Sequence, residues 1–130
     1  RVAVGKGLVV PLPPLRLLGW YLPTALPRKD PGALRRATRV LAAAKKDLRA
    51  GRYLQAAANL GPVLGWPGLP LETRLEALRL RCTAWVALGE TDLALRAARE
   101  AVRLRPKVTL DPVMVSPTVR AIYARARRGD

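Results

Sequence analysis

A chain of 130 residues is one domain by length, large enough to bury a core without disulfide or metal staples. Half of it is hydrophobic, dominated by Leu and Ala, with no Phe and a single Ile (Ile122), which favours helix over sheet. The formal net charge of +15 points to an acidic partner such as nucleic acid, anionic lipid or an acidic protein, unless it reflects only a codon bias toward Ala, Arg, Gly and Pro.

Cys82 is the only cysteine, which excludes an internal disulfide, and the absence of His removes the commonest metal ligand and general base. The charge is uneven along the chain. Residues 1–60 hold 12 Lys/Arg against 2 acids, and residues 61–110 hold 8 against 5.

Residues 1–29 form an extended, apolar, Pro-rich arm. Pro11, Pro13, Pro14, Pro23 and Pro27 interrupt an otherwise apolar run, and Arg16 stands in its middle, so a membrane-spanning helix is a poor reading. No clean apolar core leads to a small-residue cleavage site, so a signal peptide is a poor reading too. The first residue is Arg1 and not Met, which leaves open a targeting segment already removed. Two readings of the arm stand. It folds back over apolar helix surface, or it lies on another protein with Leu8, Val9, Leu12, Leu15, Leu17, Leu18, Trp20, Tyr21 and Leu22 as anchors. Trp20-Tyr21 is the strongest anchor candidate for a partner or a membrane surface.

A first helix is predicted from Pro31 to Ala50, with Asp30 as N-cap and Pro31 at the first helical position. Leu34, Ala37, Leu41, Ala44 and Leu48 form its inner stripe. Arg35, Arg36, Arg39, Lys45, Lys46 and Arg49 fill its outer face. Gly51 ends it, and a second helix follows from Arg52 to Leu60 or Leu64, with Tyr53, Ala56, Ala57 and Leu60 facing in and Gly61-Pro62 weakening its end. GWPGLP, residues 65–70, is a loop.

A third helix starts near Pro70 or Leu71 and stops at Gly89, with Leu75, Leu78, Cys82, Trp85 and Leu88 as its stripe. The fourth runs from Thr91 to Arg105, and Pro106 closes it. KVTLDPVMVS is a loop, and Ser116-Pro117 is the cap and first residue of a fifth helix ending near Arg128, with Val119, Ile122, Tyr123 and Ala126 as its apolar side.

Catalytic chemistry finds little footing. Cys82 lies on an apolar stripe, where a buried core thiol is the plainer reading. Ser116 is the only serine and has a capping role, and without His there is no ordinary triad. Glu72, Glu76, Glu90, Asp92 and Glu100 fall at helix starts or on outer faces, where dipole and ion-pair roles suffice. No cluster with metal-ligand spacing occurs, and Gly5-Lys6-Gly7 lacks the spacing of a phosphate loop. No cofactor and no small-molecule substrate is expected.

The two helical hairpins, 31–64 and 70–106, are versions of one unit. Ala-Gly-Arg-Tyr at 50–53 aligns with Leu-Gly-Glu-Thr at 88–91, and Ala56 and Leu60 align with Ala94 and Ala98, at an offset of 38 residues. Leu78, Arg81-Cys82, Trp85, Ala94, Ala98, Ala101 and Pro106 fall at the spacings of the tetratricopeptide repeat, which this second unit resembles. The departures are Arg81 for Leu, Cys82 for Gly and Ala98 for an aromatic. The first unit follows with Val40, Ala43-Ala44, Ala56, Leu60 and Val63, and with Asp47 where an aromatic is usual. The resemblance covers about residues 31–106. It implies an all-α fold of antiparallel hairpins stacked as a short solenoid of about five helices, with helix 117–128 covering the last hairpin. It also implies a non-catalytic scaffold that binds protein in a concave groove.

The expected function is therefore a protein–protein interaction module, an accessory subunit of a larger bacterial assembly, attached through Leu12, Leu15, Leu17, Leu18, Trp20, Tyr21 and Leu22 of the arm and through Arg35, Arg36 and Arg39. The alternative is an RNA- or DNA-binding accessory protein that uses the basic first helix and the tail Arg125, Arg127 and Arg128. The compartment stays open between bacterial cytoplasm and the periplasmic side of the envelope.

Overall fold

The computed structural model describes residues 31–129, which form five packed helices with no strand among the described residues. These are α1 (Pro31–Arg49), α2 (Tyr53–Leu64), α3 (Leu71–Ala87), α4 (Thr91–Leu104) and α5 (Pro117–Arg128). The all-α class matches the expectation. The arm 1–29, with its anchors Leu12, Leu15, Leu17, Leu18, Trp20, Tyr21 and Leu22, lies outside the described residues, as does the proposed Asp30 cap.

Each helix packs on the next in sequence, α1 also touches α3, and α3 also touches α5, whereas α2 and α4 do not meet. The core has two parts that share α3. Leu41, Ala44, Ala56, Ala57 and Leu60 pack against Ala77, Leu80 and Ala84 on one side of α3. Leu75, Leu78 and Cys82 on its other side meet Ala94, Leu95, Ala98 and Ala101 of α4 and Val119, Ile122 and Tyr123 of α5. The sequence pattern predicts one apolar stripe on α3. A helix in the middle of a stack must bury two, and Leu80 with the small residues Ala77 and Ala84 supplies the second.

The joints α1–α2 and α3–α4 are the same turn built twice. Gly51 and Gly89 hold φ +81° and +77°, where an L side chain is strained. The Arg52 amide donates to the Asp47 carbonyl at 2.8 Å, and the Glu90 amide to that of Trp85 at 2.9 Å. This is the six-to-one bond that closes a helix after a left-handed glycine. Ala44 and Cys82, Ala56 and Ala94, Leu60 and Ala98, and Val63 and Ala101 are buried at equivalent places in the two hairpins.

Three local expectations change. Leu34 is 42% exposed rather than part of the inner stripe. With 19 residues in α1 against 12 in α2, α1's first turn extends past the end of its partner. Pro62 does not break α2, which continues to Leu64. In the last turn, proline forfeits only the bond to the carbonyl of exposed Ala58, which water can satisfy. Trp85 and Leu88, predicted on the buried stripe, are half-buried and exposed, because this end of the α3 stripe reaches the rim of the stack.

Arginines from later elements finish what the loops leave open. Arg74 donates to the carbonyls of Leu64 (2.5 Å) and Trp66 (3.1 Å), which satisfies acceptors at the end of α2. Arg81 reaches the Ala57 carbonyl at 3.2 Å, passing over Gly61, where a Cβ would stand 3.3 Å from its Nη2. Ser116 caps α5 as predicted, its Oγ accepting from the Val119 amide at 3.3 Å.

Candidate interaction groove

A groove of about 750 Å³ opens on the side where α1 and α3 run next to each other. Its walls are the C-terminal half of α1, the N-terminal half of α3 and the segment 105–115 that links α4 to α5. Leu48, Leu75, Leu80, Val108 and Leu110 supply an apolar floor above Tyr123. Lys45, Arg49, Arg79, Arg105 and Lys107 stand against Glu72, Glu76 and Asp111 on the rim.

The electrostatics of the rim are mostly settled internally. Glu76 is bridged by Lys45 at 3.0 Å and Arg79 at 2.9 Å. Burial pushes its carboxyl up, but the hydrogen bonds and charges of Lys45 and Arg79 outweigh that and hold it below the usual value of 4.5. Glu72 pairs with Arg105. The Asp111 carboxylate accepts from the Val113 amide at 2.8 Å. Arg49 and Lys107 make no ion pair among the described residues, so the groove offers two uncompensated cations beside its apolar floor.

The sequence predicts a plain loop over residues 107–116, most of this wall. In fact Asp111 organises a turn, with its carbonyl taking the amides of Met114 (3.2 Å) and Val115 (2.9 Å). The turn lifts Val113 and Met114 into solvent, 87% and 77% exposed, while Val115 is buried behind them. Asp-Pro followed by three apolar residues was the available signal. Two arginines of α5 fix the segment: Arg127 donates to the Val108 carbonyl and Arg120 to that of Val115 at 3.3 Å.

Of the predicted site residues, Arg35, Arg36 and Arg39 lie on the exposed face of α1, away from the groove. The Arg36 guanidinium stacks over the Trp66 ring at 5.6 Å, so Trp66 ties the 65–70 loop to α1. The basic tail is partly committed to structure: Arg127 holds Val108, and Arg125 is half-buried. Cys82 is fully buried, and desolvation pushes its thiol up to about 12, the opposite of what a nucleophile needs. Burial likewise raises the Tyr123 hydroxyl, and the neighbouring Cys82 adds to the rise.

A smaller hollow of about 350 Å³ opens on the opposite side, between α2 and α4, where Arg81 stacks on Trp85 at 5.7 Å. Among the described residues no group of three or more His, Cys, Asp or Glu is arranged to hold a metal ion, and no helix is long and apolar enough to cross a membrane. No protein-family profile, curated protein or solved structure matches the chain.

Proposed function

We propose that this chain is a protein-interaction module: a short tetratricopeptide-like array of two hairpins covered by α5, serving as a non-catalytic accessory subunit of a larger assembly. The observation that carries the reading is the groove formed by α1, α3 and the 105–115 wall. In a stack where α3 touches both α1 and α5 while α2 and α4 do not meet, the first helices of the units gather on one side, which is how a helical solenoid makes a concave face. The contents of the groove suit a peptide more than a reaction. An apolar floor, ion-paired carboxylates and exposed Met114 give area and register, while the buried thiol lies outside it.

The test is affinity purification of the tagged full chain from its source cells, in parallel with Thr109→Arg and Met114→Glu. Both residues are exposed and line the groove, so neither substitution disturbs the core. The reading expects a discrete partner that both substitutions release. Retention of that partner by both groove variants, with loss on deletion of residues 1–29, would transfer the attachment to the arm and overturn the groove.

A further inference from the structure

The exposed face of α1 carries a row of cations, of which only Arg49 also borders the groove. Arg35, Arg39, Lys46 and Arg49 follow one another at spacings of four, seven and three, which puts them on a single line along the helix, opposite buried Ala37, Leu41 and Ala44. At 1.5 Å per residue the row is about 21 Å long. None of the four has an ion pair among the described residues. Elsewhere the chain commits its arginines: Arg52 to Asp47, Arg79 to Glu76, Arg103 to Glu100, Arg105 to Glu72, and Arg74 and Arg127 to backbone carbonyls.

The row works against its own helix. Arg35 and Arg39 are like charges four apart, and Lys46 and Arg49 three apart. The first turn of α1 contains no acid, and Arg35 stands near the positive end of the helix dipole. The only acid of α1, Asp47, is buried on another face against Arg52. Such a charge line is relieved by a linear polyanion laid along it.

We infer that the α1 row binds the phosphate backbone of a duplex nucleic acid without reading its sequence. A duplex presents a regular line of phosphates to a straight helix face. Thr38, Ala42 and Ala43 are exposed neighbours of the row and give no ring on which an unpaired base would stack, while Trp66, beside α1, already carries the Arg36 guanidinium. Nor does the row alternate with large apolar side chains that would enter a lipid headgroup layer. This surface is separate from the groove apart from Arg49, which borders both.

The test is fluorescence anisotropy of a short generic duplex DNA with the full chain at several salt concentrations. Four phosphate contacts give a log–log salt slope of about −3.6, a loss of about two orders of magnitude between 50 and 200 mM salt. The triple variant R35Q/R39Q/K46Q should abolish most of the binding and flatten the slope by about 0.9 per cation removed. R96Q/R99Q/R103Q removes the same charge from exposed positions of α4, off the row and the groove, and should keep both affinity and slope. Equal loss in the two triples would reduce the effect to whole-molecule charge and overturn the inference. So would unchanged binding in the first triple, or row-dependent capture by phosphatidylserine vesicles with none by the duplex. Melting curves of both triples check the fold, and relief of the like-charge pairs should leave the first no less stable than the parent.

Discussion

Arg127 and Arg120 reach from α5 to the carbonyls of Val108 and Val115, so Arg127, which the sequence offers as part of a nucleic-acid-binding tail, joins Arg120 in holding the groove wall. Arg127→Ala should cost about 1 kcal/mol and raise amide hydrogen exchange across residues 106–115 while α1 and α2 keep their protection. Asp47 is the other residue whose role the sequence concealed. It occupies the place that Trp85 holds in the second hairpin, is 7% exposed, and receives Arg52 Nε and Nη2 at 2.9 Å. An ion pair thus stands in for an aromatic. Arg52→Ala leaves a buried carboxylate without its partner and should destabilise by about 1–3 kcal/mol in urea, and Asp47→Ala added to it should cost less than the sum of the two singles. Cys82 sets an alkaline limit. Its thiol ionises at about 9.0 when unfolded and is pushed up to about 12 by burial. Between those values the folded state holds the extra proton, so the contribution is complete below pH 9 and is lost as pH rises toward 12. Cys82→Ala should make the fall in stability over that window shallower, and in the parent the thiol should react with alkylating reagents only as fast as the protein opens.

At the scale of elements, the repeated turn is the clearest structural unit. A Cβ at Gly51 or Gly89 would meet nothing within 4 Å, so the cost of a side chain there is purely conformational. Gly51→Ala and Gly89→Ala should each destabilise by about 1–2 kcal/mol, and by nearly the same amount because the two backbones coincide. A large difference between them would argue that the hairpins are not equivalent. These turns were legible in sequence because glycine at a helix end has one dominant use. The five helices were legible for similar reasons: Pro31 and Ser116-Pro117 start elements, and apolar spacings of three and four mark their faces. The course of α2 through Pro62 was not, since whether proline ends a helix depends on whether the freed carbonyl has another partner. The second buried face of α3 was also hidden, because Leu80 is its one large residue and the alanines at 77 and 84 carry no signal until a neighbouring helix covers them.

For the whole molecule, the fold follows from local pattern and the groove does not. A concavity is made by elements far apart in sequence: Lys45 of α1, Glu76 of α3 and Lys107 beyond α4 meet only after the hairpins stack. Sequence alone therefore drew attention to charge on α1 and to the apolar arm, and missed the 105–115 wall. We propose that the two described surfaces divide the labour, with the groove for a protein segment and the α1 row for a phosphate backbone. The groove is the central claim. Its most direct test places a photo-reactive amino acid at Thr109 or Met114, on the groove, and at Ala58 or Arg96, exposed on α2 and α4, with irradiation in the source cells. The account predicts one discrete covalent adduct from the two groove positions and none from the other two. Adducts of equal yield from all four positions, or none from Thr109 and Met114, would contradict it.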